Sequence, residues 1–178
     1  MAWSAPMTAV ANATLSAAQW NASVRDNLNA TAVALATAAG QYPVATGVNA
    51  LAMRTVGINT VLTTQTSTSG VYADMTTPGP SVTVNCSVGA LVFIQCAMSN
   101  SGVNGATTAS FEISGATSRS AGDGWRIVSD GNPSANTVRY GAASYQAVNP
   151  GSNTFKMKYL VGSGTGTYSN REIIVMPF

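Results

Sequence analysis

Residues 153–161 read Asn-Thr-Phe-Lys-Met-Lys-Tyr-Leu-Val, and this run decides the fold class. Successive side chains of a β-strand point to opposite faces of the sheet. Phe155, Met157 and Tyr159 therefore share one face, and the intervening lysines share the other. A strand with one apolar and one polar face is typical of an antiparallel sheet that covers a core on one side only.

Two other stretches have apolar side chains on both faces, Ala90–Ile94 and Ile173–Met176. A strand of this kind has to bury one face in its own core and the other against a neighbour. Glycine- and proline-containing breakers separate eight candidate strands, which are Val71–Thr76, Ser81–Ser87, Ala90–Met98, Thr108–Ser114, Trp125–Ser129, Thr137–Val148, Asn153–Val161 and Arg171–Phe178. This spacing predicts a mainly β protein with an antiparallel β-sandwich, most simply a jelly roll.

An N-terminal helix is predicted ahead of the sandwich. In Leu15–Trp20, Ser16 is a candidate N-cap and Gln19 lies three residues further on, which is the spacing of a capping box. The helix is predicted to run over residues 17–39 and to stop at Gly40.

Apolar side chains recur at helical spacing along this helix, at Trp20, Val24, Leu28 and Leu35. The stripe is narrow and rich in alanine, which suits close packing of helices from different copies of the chain. Packing of the stripe on its own domain fits the same pattern equally well.

Composition divides the chain into three predicted parts. Residues 1–40 form an N-terminal segment that contains the helix. Residues 41–70 are rich in glycine, serine and threonine and predict a connector with little core of its own. Residues 71–178 form the sandwich.

Charged residues make up only 8% of the 178 residues, while 46% are hydrophobic. Ordinary soluble domains contain about 25% charged residues. A surface with so few charges is either buried in an assembly or built to stay neutral. The basic residues are scattered along the chain, so the sequence predicts no nucleic-acid binding.

No apolar run reaches the roughly 18 residues that span a membrane, so no membrane insertion is predicted. Met1–Pro6 has neither the basic nor the apolar region of a signal peptide, and we expect synthesis in a reducing cytoplasm. Cys86 and Cys96 are expected to be buried without a disulfide. A hairpin centred on Val88–Gly89 would offset them by about five residues, too far for a bridge.

The sequence contains no histidine, which excludes histidine-based catalytic triads and histidine metal sites. Asp123 and Asp130 lie in Asp-Gly turns, where an aspartate usually bonds to its own backbone. The sequence therefore predicts no catalytic residue, no metal site and no cofactor.

Four aromatic residues are candidate receptor contacts, because aromatic rings stack on sugars and anchor protein interfaces. They are Trp125, Tyr140, Tyr145 and Tyr168. The alternative, that they belong to the core or to a subunit interface, fits the same positions.

Residues 16–27 read Ser-Ala-Ala-Gln-Trp-Asn-Ala-Ser-Val-Arg-Asp-Asn, and Trp3 precedes them. This segment resembles the N-terminal signature of small structural proteins of tailed bacteriophages. The resemblance implies that residues 1–40 dock the protein onto a virion, and the implied docking residues are Trp3, Trp20, Asn21, Arg25, Asp26 and Asn27.

The C-terminal part is similar to the trimeric jelly rolls of the tumour-necrosis-factor and C1q type that phage appendages carry. The segments that carry the similarity are Pro80–Val84, Gly89–Ile94, Asn153–Tyr159 and Arg171–Phe178. Together with the scarcity of charge, it implies a homotrimer whose interface residues are Val24, Leu28, Leu35, Ile174 and Met176.

These observations predict a non-enzymatic virion protein, a homotrimeric minor tail or fibre appendage bound to other virion proteins through its N-terminal segment. A host-surface glycan is a candidate ligand of its knob. One alternative is a capsid decoration or head fibre protein, and a second is a bacterial carbohydrate-binding module.

Overall fold

The computed structural model describes residues 7–8, 11–102, 105–130 and 137–178. They form two compact units, which divide between Thr55 and Val56. The first unit contains short helices and a hairpin, and the second is a β-sandwich. Trp3 lies outside the described residues.

The first helix, α1 (Ala17–Trp20), begins as predicted. The Ser16 hydroxyl accepts a hydrogen bond from the Gln19 backbone N–H at 3.2 Å. The Gln19 side-chain oxygen accepts in return from the Ser16 backbone N–H at 3.0 Å. The predicted capping box is confirmed.

A π-helical turn (Asn21–Arg25) and α2 (Asp26–Asn29) continue α1, but the helix breaks before α3 (Ala32–Leu35). The Thr31 hydroxyl lies at the break and donates to the Leu28 carbonyl oxygen at 2.9 Å. A side chain that bonds to a nearby carbonyl competes with the helical ladder. The predicted continuous helix over 17–39 is therefore wrong.

The helical segment also ends four residues earlier than predicted, at Leu35. The Gln41 side-chain oxygen accepts hydrogen bonds from the backbone N–H groups of Thr37 at 2.8 Å and Ala38 at 3.2 Å. Because a side chain now satisfies these donors, the chain turns here and does not need to continue as helix.

The first unit ends in an antiparallel hairpin of β1 (Tyr42–Gly47) and β2 (Ala50–Arg54). Asn49 in its turn has a φ of 55°, a left-handed conformation that asparagine tolerates. The stretch 41–70, which the composition predicts to be a connector, thus holds regular strands, and its last part joins the sandwich.

The sandwich has nine strands among the described residues. They are β3 (Gly57–Val61), β4 (Gln65–Ser67), β5 (Ser81–Cys86), β6 (Gly89–Asn100), β7 (Thr107–Gly115), β8 (Ile127–Ser129), β9 (Val138–Ala147), β10 (Gly151–Val161) and β11 (Gly166–Pro177). One sheet has the order β5-β10-β7-β8, and the other has the order β3-β11-β6-β9, with β4 also paired to β11. All of these pairings are antiparallel.

The connections β4–β5, β5–β6, β6–β7, β8–β9, β9–β10 and β10–β11 each cross from one sheet to the other. This is the topology of a jelly roll, so the predicted fold class is confirmed. The predicted hairpin between β5 and β6 is wrong, because β5 pairs with β10 and β6 pairs with β11 and β9.

The core lies between the two sheets and follows the two-residue period of the sequence. Phe155, Met157 and Tyr159 of β10 have no exposed surface, and neither do Ile173 and Val175 of β11 on the facing sheet. The alternation that predicts these strands therefore also identifies their buried faces.

The predicted strand Val71–Thr76 is wrong. Only Ala73 pairs there, through a single bridge to Tyr159. The segment instead packs as a loop, in which Met75 is 8% exposed.

Arg171 holds this loop against the sandwich. A β-bulge between Ser169 and Glu172 turns Arg171 inward, where it is completely buried. Its guanidinium donates to the carbonyl oxygens of Thr77 and Thr63, each at 3.2 Å, and it lies 5.4 Å from the centre of the Tyr159 ring. Neutral oxygens and an aromatic ring thus stabilise the buried cation.

Both cysteines are buried and form no disulfide, as predicted. The hairpin assumed in that prediction does not exist, and the cysteines instead lie in different sheets. Burial raises the pKa of Cys96 to about 12, which keeps its thiol protonated. None of the helices among the described residues has the length and hydropathy to cross a membrane.

We expect Arg171→Met to lower the free energy of unfolding by about 3 kcal/mol, because it leaves buried carbonyl oxygens without donors. Urea unfolding measures the loss. The matched control is Arg126→Met, since Arg126 is exposed and its ion pair with Asp123 is worth about 1 kcal/mol at most. Equal losses for the two variants would contradict the role given to Arg171.

Candidate functional site

One sheet of the sandwich has an outer surface of apolar side chains. We call it the apolar sheet face and define it by six residues of β3, β6, β9 and β11. They are Ile58, Leu91, Phe93, Tyr145, Ile174 and Met176.

Strand register makes these side chains neighbours. Ile174 pairs with Ile58 of β3 on one side and with Phe93 of β6 on the other. In the next row, Leu91 pairs with Met176 on one side and with Tyr145 on the other. Directly opposed side chains in a sheet contact one another, so the six form a contiguous patch.

Much of this patch is open to solvent. Ile58 is 62% exposed, Tyr145 56% and Leu91 40%, and the other three side chains are half-buried. Single exposed apolar residues are common, but a contiguous apolar patch marks an interaction surface.

A carboxylate borders the apolar sheet face. Glu172 lies in the next row of β11 and accepts hydrogen bonds from Thr60 at 2.8 Å and from the amide of Gln95. Both donors are neutral, so the half-buried Glu172 is held in a fixed position by groups that leave its charge uncompensated.

The other sheet carries ions on its outer surface. Lys156 contacts Asp74 at 2.6 Å, and Lys158 contacts Asp74 at 2.9 Å and Glu112 at 3.1 Å. Desolvation alone would raise the pKa of Asp74, but hydrogen bonds from the two lysines outweigh it and hold that pKa below its usual value.

A second polar cluster lies at the 3₁₀ turn Asp123–Trp125. The Tyr72 hydroxyl donates to Asp123 at 2.6 Å, and Arg126 pairs with the same carboxylate at 2.8 Å. Burial and the Asp123 carboxylate raise the pKa of Tyr72. The outer side of the sheet β5-β10-β7-β8 thus carries the ion-paired Lys156 and Lys158, while the outer side of the other sheet is mostly apolar.

The residues predicted to form a trimer interface lie in both units. Ile174 and Met176 point away from the core and belong to the apolar sheet face. In the first unit, Leu28 is 60% exposed, and Val24 and Leu35 are half-buried. Their role in a trimer stays a prediction.

The contacts of Trp125 within the chain indicate a structural role and do not favour stacking on sugar. Its indole N–H donates to the Phe111 carbonyl oxygen at 2.9 Å, and its ring lies 5.8 Å from the Phe111 ring. The Arg119 guanidinium lies over the indole at 5.6 Å. These contacts occupy much of the surface that a sugar would use.

Tyr168 is not a surface residue, which corrects its selection as a receptor contact. It is completely buried, and its hydroxyl lies 2.8 Å from the Leu160 carbonyl oxygen. The bulge in β11 shifts the alternation and places Tyr168 on the core side. Tyr140 is half-buried against the core, so Tyr145 is the most exposed of the four candidates.

The predicted docking residues do not all reach the surface. Trp20 is 54% exposed, and Arg25 and Asp26 are exposed and pair with each other at 2.8 Å. Asn21 is half-buried. Asn27 is only 5% exposed and its amide donates to the Ser23 carbonyl oxygen at 3.1 Å, so it supports the helix and is not available for docking.

Sequence reasoning missed several residues of the apolar sheet face. Leu91 and Phe93 lie in the doubly apolar stretch Ala90–Ile94, which already indicates an outward apolar side. Ile58 was missed because it falls in the predicted connector. Across the described ranges, no group of three or more acidic or cysteine side chains is placed to hold a metal ion.

No protein-family model matches the sequence, and no curated protein is similar to it. The fold is similar to the structure of Eiger TNF from S. frugiperda, with a TM-score of 0.50 and 9% identity over 70% of this chain and 92% of that chain. This similarity concerns the fold alone, which is a TNF-like jelly roll.

Two further structures have lower scores. The carbohydrate-binding module of Cellvibrio mixtus lichenase 5A has a TM-score of 0.35 and 17% identity, over 67% of this chain and 97% of that one. Tailspike protein 4 of bacteriophage CBA120 has a TM-score of 0.28 and 10% identity, over 68% of this chain and 19% of that one. Scores this low identify neither a fold relative nor a function.

We expect the contribution of Asp74 to stability to depend on pH. Its pKa is lowered by folding, so its contribution is complete above the pKa of the unfolded chain and is lost as pH falls through the folded value. Asp74→Asn should therefore melt below the native protein at pH 7, and the gap should narrow as pH falls below the pKa of the unfolded chain, which melting curves at pH 7 and pH 3 measure. A melting-temperature gap that is the same at both pH values would contradict this expectation.

Proposed function

We propose that the chain is a non-enzymatic structural protein of a tailed-bacteriophage virion. In this proposal it is a homotrimeric tail or fibre appendage that self-associates through the apolar sheet face and binds other virion proteins through its N-terminal segment. The contiguous apolar sheet face is the observation that carries the proposal. The scarcity of charge and the phage-like N-terminal motif support it.

The energetics favour burial of the whole face by a partner. A fully buried aliphatic or aromatic side chain contributes roughly 1.5–3 kcal/mol relative to an exposed one. Association costs on the order of 4–15 kcal/mol in lost freedom of motion. Several side chains must therefore be buried together, and one charge at the centre of the patch should prevent association.

The contrast between the two sheets also indicates that the apolar sheet face is the one buried in the assembly. Lys156, Lys158 and their acidic partners make the sheet β5-β10-β7-β8 suited to water. The opposite sheet presents isoleucine, leucine and methionine. We infer that the ionic sheet faces outward in the assembly. The trimeric state itself is proposed from the resemblance to trimeric jelly rolls.

Exposed apolar side chains in the first unit support a docking role. Leu15 is 46% exposed and Trp20 54%, next to and within the first short helix. Large apolar residues that stay in water in a chain of this kind are candidate contacts to another virion protein.

Glycan binding and self-association compete for Tyr145. The side chain lies on the apolar sheet face, so a trimer that buries this face also buries Tyr145. The proposal therefore assigns Tyr145 to self-association. The alternative of a carbohydrate-binding module requires a monomer in which the exposed ring of Tyr145 stacks on sugar.

A capsid decoration protein would use the same surfaces at another location. The number of copies per particle distinguishes the two, because a tail appendage is present in a handful of copies and a decoration protein in hundreds. Quantitative mass spectrometry of purified particles measures this number.

We expect the native protein to be trimeric at micromolar concentration and Ile174→Glu to be monomeric, because a buried unpaired carboxylate costs several kcal/mol per copy. Size-exclusion chromatography with light scattering measures the mass of each. Val71→Glu is the matched control, since Val71 is 70% exposed but lies in no strand of that sheet. A native protein that is monomeric would rule out the assembly.

We expect Trp20→Ala to reduce incorporation into particles at least tenfold while the melting temperature stays within about 2 °C, because the removed ring is mostly exposed and contributes little to folding. Immunoblots of purified particles measure incorporation. Val48→Ala is the control, because Val48 is 92% exposed in the hairpin turn of the same unit. If both variants incorporate normally, Trp20 is not a docking residue.

A further inference from the structure

Two opposite charges on the outer side of the sheet β3-β11-β6-β9 have no ionic partner within the described residues. Glu172 of β11 is bonded only to the neutral side chains of Thr60 and Gln95. Arg139 of β9 is exposed, and the structure gives its guanidinium neither a hydrogen bond nor an ion pair. Glu172 lies in the row next to the apolar sheet face, and Arg139 lies one row further from that face.

Elsewhere in the sandwich, charged groups near one another are paired or bonded. Lys156, Lys158 and Arg126 each contact a carboxylate. Arg119 donates to Gln146 at 2.6 Å and stacks on Trp125. Asp130 beyond β8 also lacks an ion pair, so Glu172 and Arg139 are distinguished by being an acid and a base on the same side of one sheet.

The two side chains do not reach one another within one chain. Glu172 pairs in register with Gln95, which pairs with Gly141, and Arg139 lies two residues further along β9. Two strand spacings and two residues along a strand separate the backbone positions by roughly 10 Å and 7 Å in perpendicular directions. Among the described residues neither charge has an ionic partner, and a second copy of the chain can supply one.

We infer that Arg139 of one copy pairs with Glu172 of the next copy in the assembly. This inference rests on the proposed function. Burial of Glu172 against an apolar surface would leave its charge with neutral donors only, which costs several kcal/mol. The neighbouring copy can supply the missing cation from the same type of surface, because each copy carries one acid and one base there.

The position of β9 determines which parts of two copies meet. β9 is an edge strand, whereas β11 lies inside the sheet. An Arg139–Glu172 contact thus brings the edge of one copy onto the face of the next. Such a contact occurs twice in a two-fold dimer and once between each pair of neighbours in a ring. The ion pair therefore specifies the register between copies, as charge pairs at interfaces usually do, and the closed trimer rests on the proposed function.

Charge reversal tests the pairing. Arg139→Glu and Glu172→Arg should each raise the dissociation constant of the assembly at least tenfold in sedimentation velocity. The double variant Arg139→Glu/Glu172→Arg restores opposite charges and should return to within about threefold of the native value, the usual outcome when two residues interact directly. Asp130→Arg is the control, because it reverses an exposed acid outside this sheet and should leave assembly unchanged.

The outcomes are distinguishable. A native protein that stays monomeric overturns the proposed function, and the inference with it. A native trimer whose single variants assemble normally, or whose double variant does not recover, overturns the ion pair and leaves the proposed function standing.

Circular dichroism establishes that each variant is folded. If Glu172→Arg fails to fold, Arg139→Glu is measured alone and together with Glu172→Gln, which keeps the hydrogen bonds without the charge. The pairing predicts that Arg139→Glu weakens assembly at least fivefold less when combined with Glu172→Gln, and equal effects overturn it.

Discussion

The structure depends on the two-residue period of β11, the strand that lies between β3 and β6. Its backbone is paired on both sides, so every second side chain must point to the core and the others must point away from it. Ile173 and Val175 fill the core. Ile174 and Met176 are equally apolar, but they lie half-buried on the outer side of the sheet. The apolar sheet face is a direct consequence of this strand.

The few charges of the chain are distributed unequally between the two sheets. One sheet carries a lysine–carboxylate network, which allows it to face water. On the outer side of the other sheet lie Glu172 and Arg139, and neither has an ionic partner in the part of the chain that the structure describes. The same asymmetry supports self-association in the proposed function and the pairing between copies in the further inference. Arg171 differs from both, because its guanidinium donates hydrogen bonds to internal carbonyl oxygens and so fixes a long loop to the sandwich.

Prediction from sequence succeeds for features that depend on interactions between residues close together in the chain. The capping box at Ser16 and the inward side of β10 depend on residues within a few positions, and both are confirmed. It fails where distant groups compete. The helix breaks at Thr31 and ends where the Gln41 side chain accepts hydrogen bonds from the next backbone N–H groups. Tyr168 is buried because a bulge shifts the alternation of β11. Asn170, whose φ is 48°, lies within that bulge, but an asparagine by itself does not show that the strand continues on both sides of it.

The sequence by itself determined which side chains share a face, because alternation along an extended strand follows from backbone geometry alone. It also determined that charge would be scarce and that Ile174 and Met176 would lie opposite Ile173 and Val175. Only the tertiary structure decided which strands are neighbours, and therefore that Ile58, Leu91 and Phe93 join them in one surface. Strand pairing depends on residues far apart in the chain and on how two sheets close over one core. The spacing of residues within one strand therefore does not predict which strands pair.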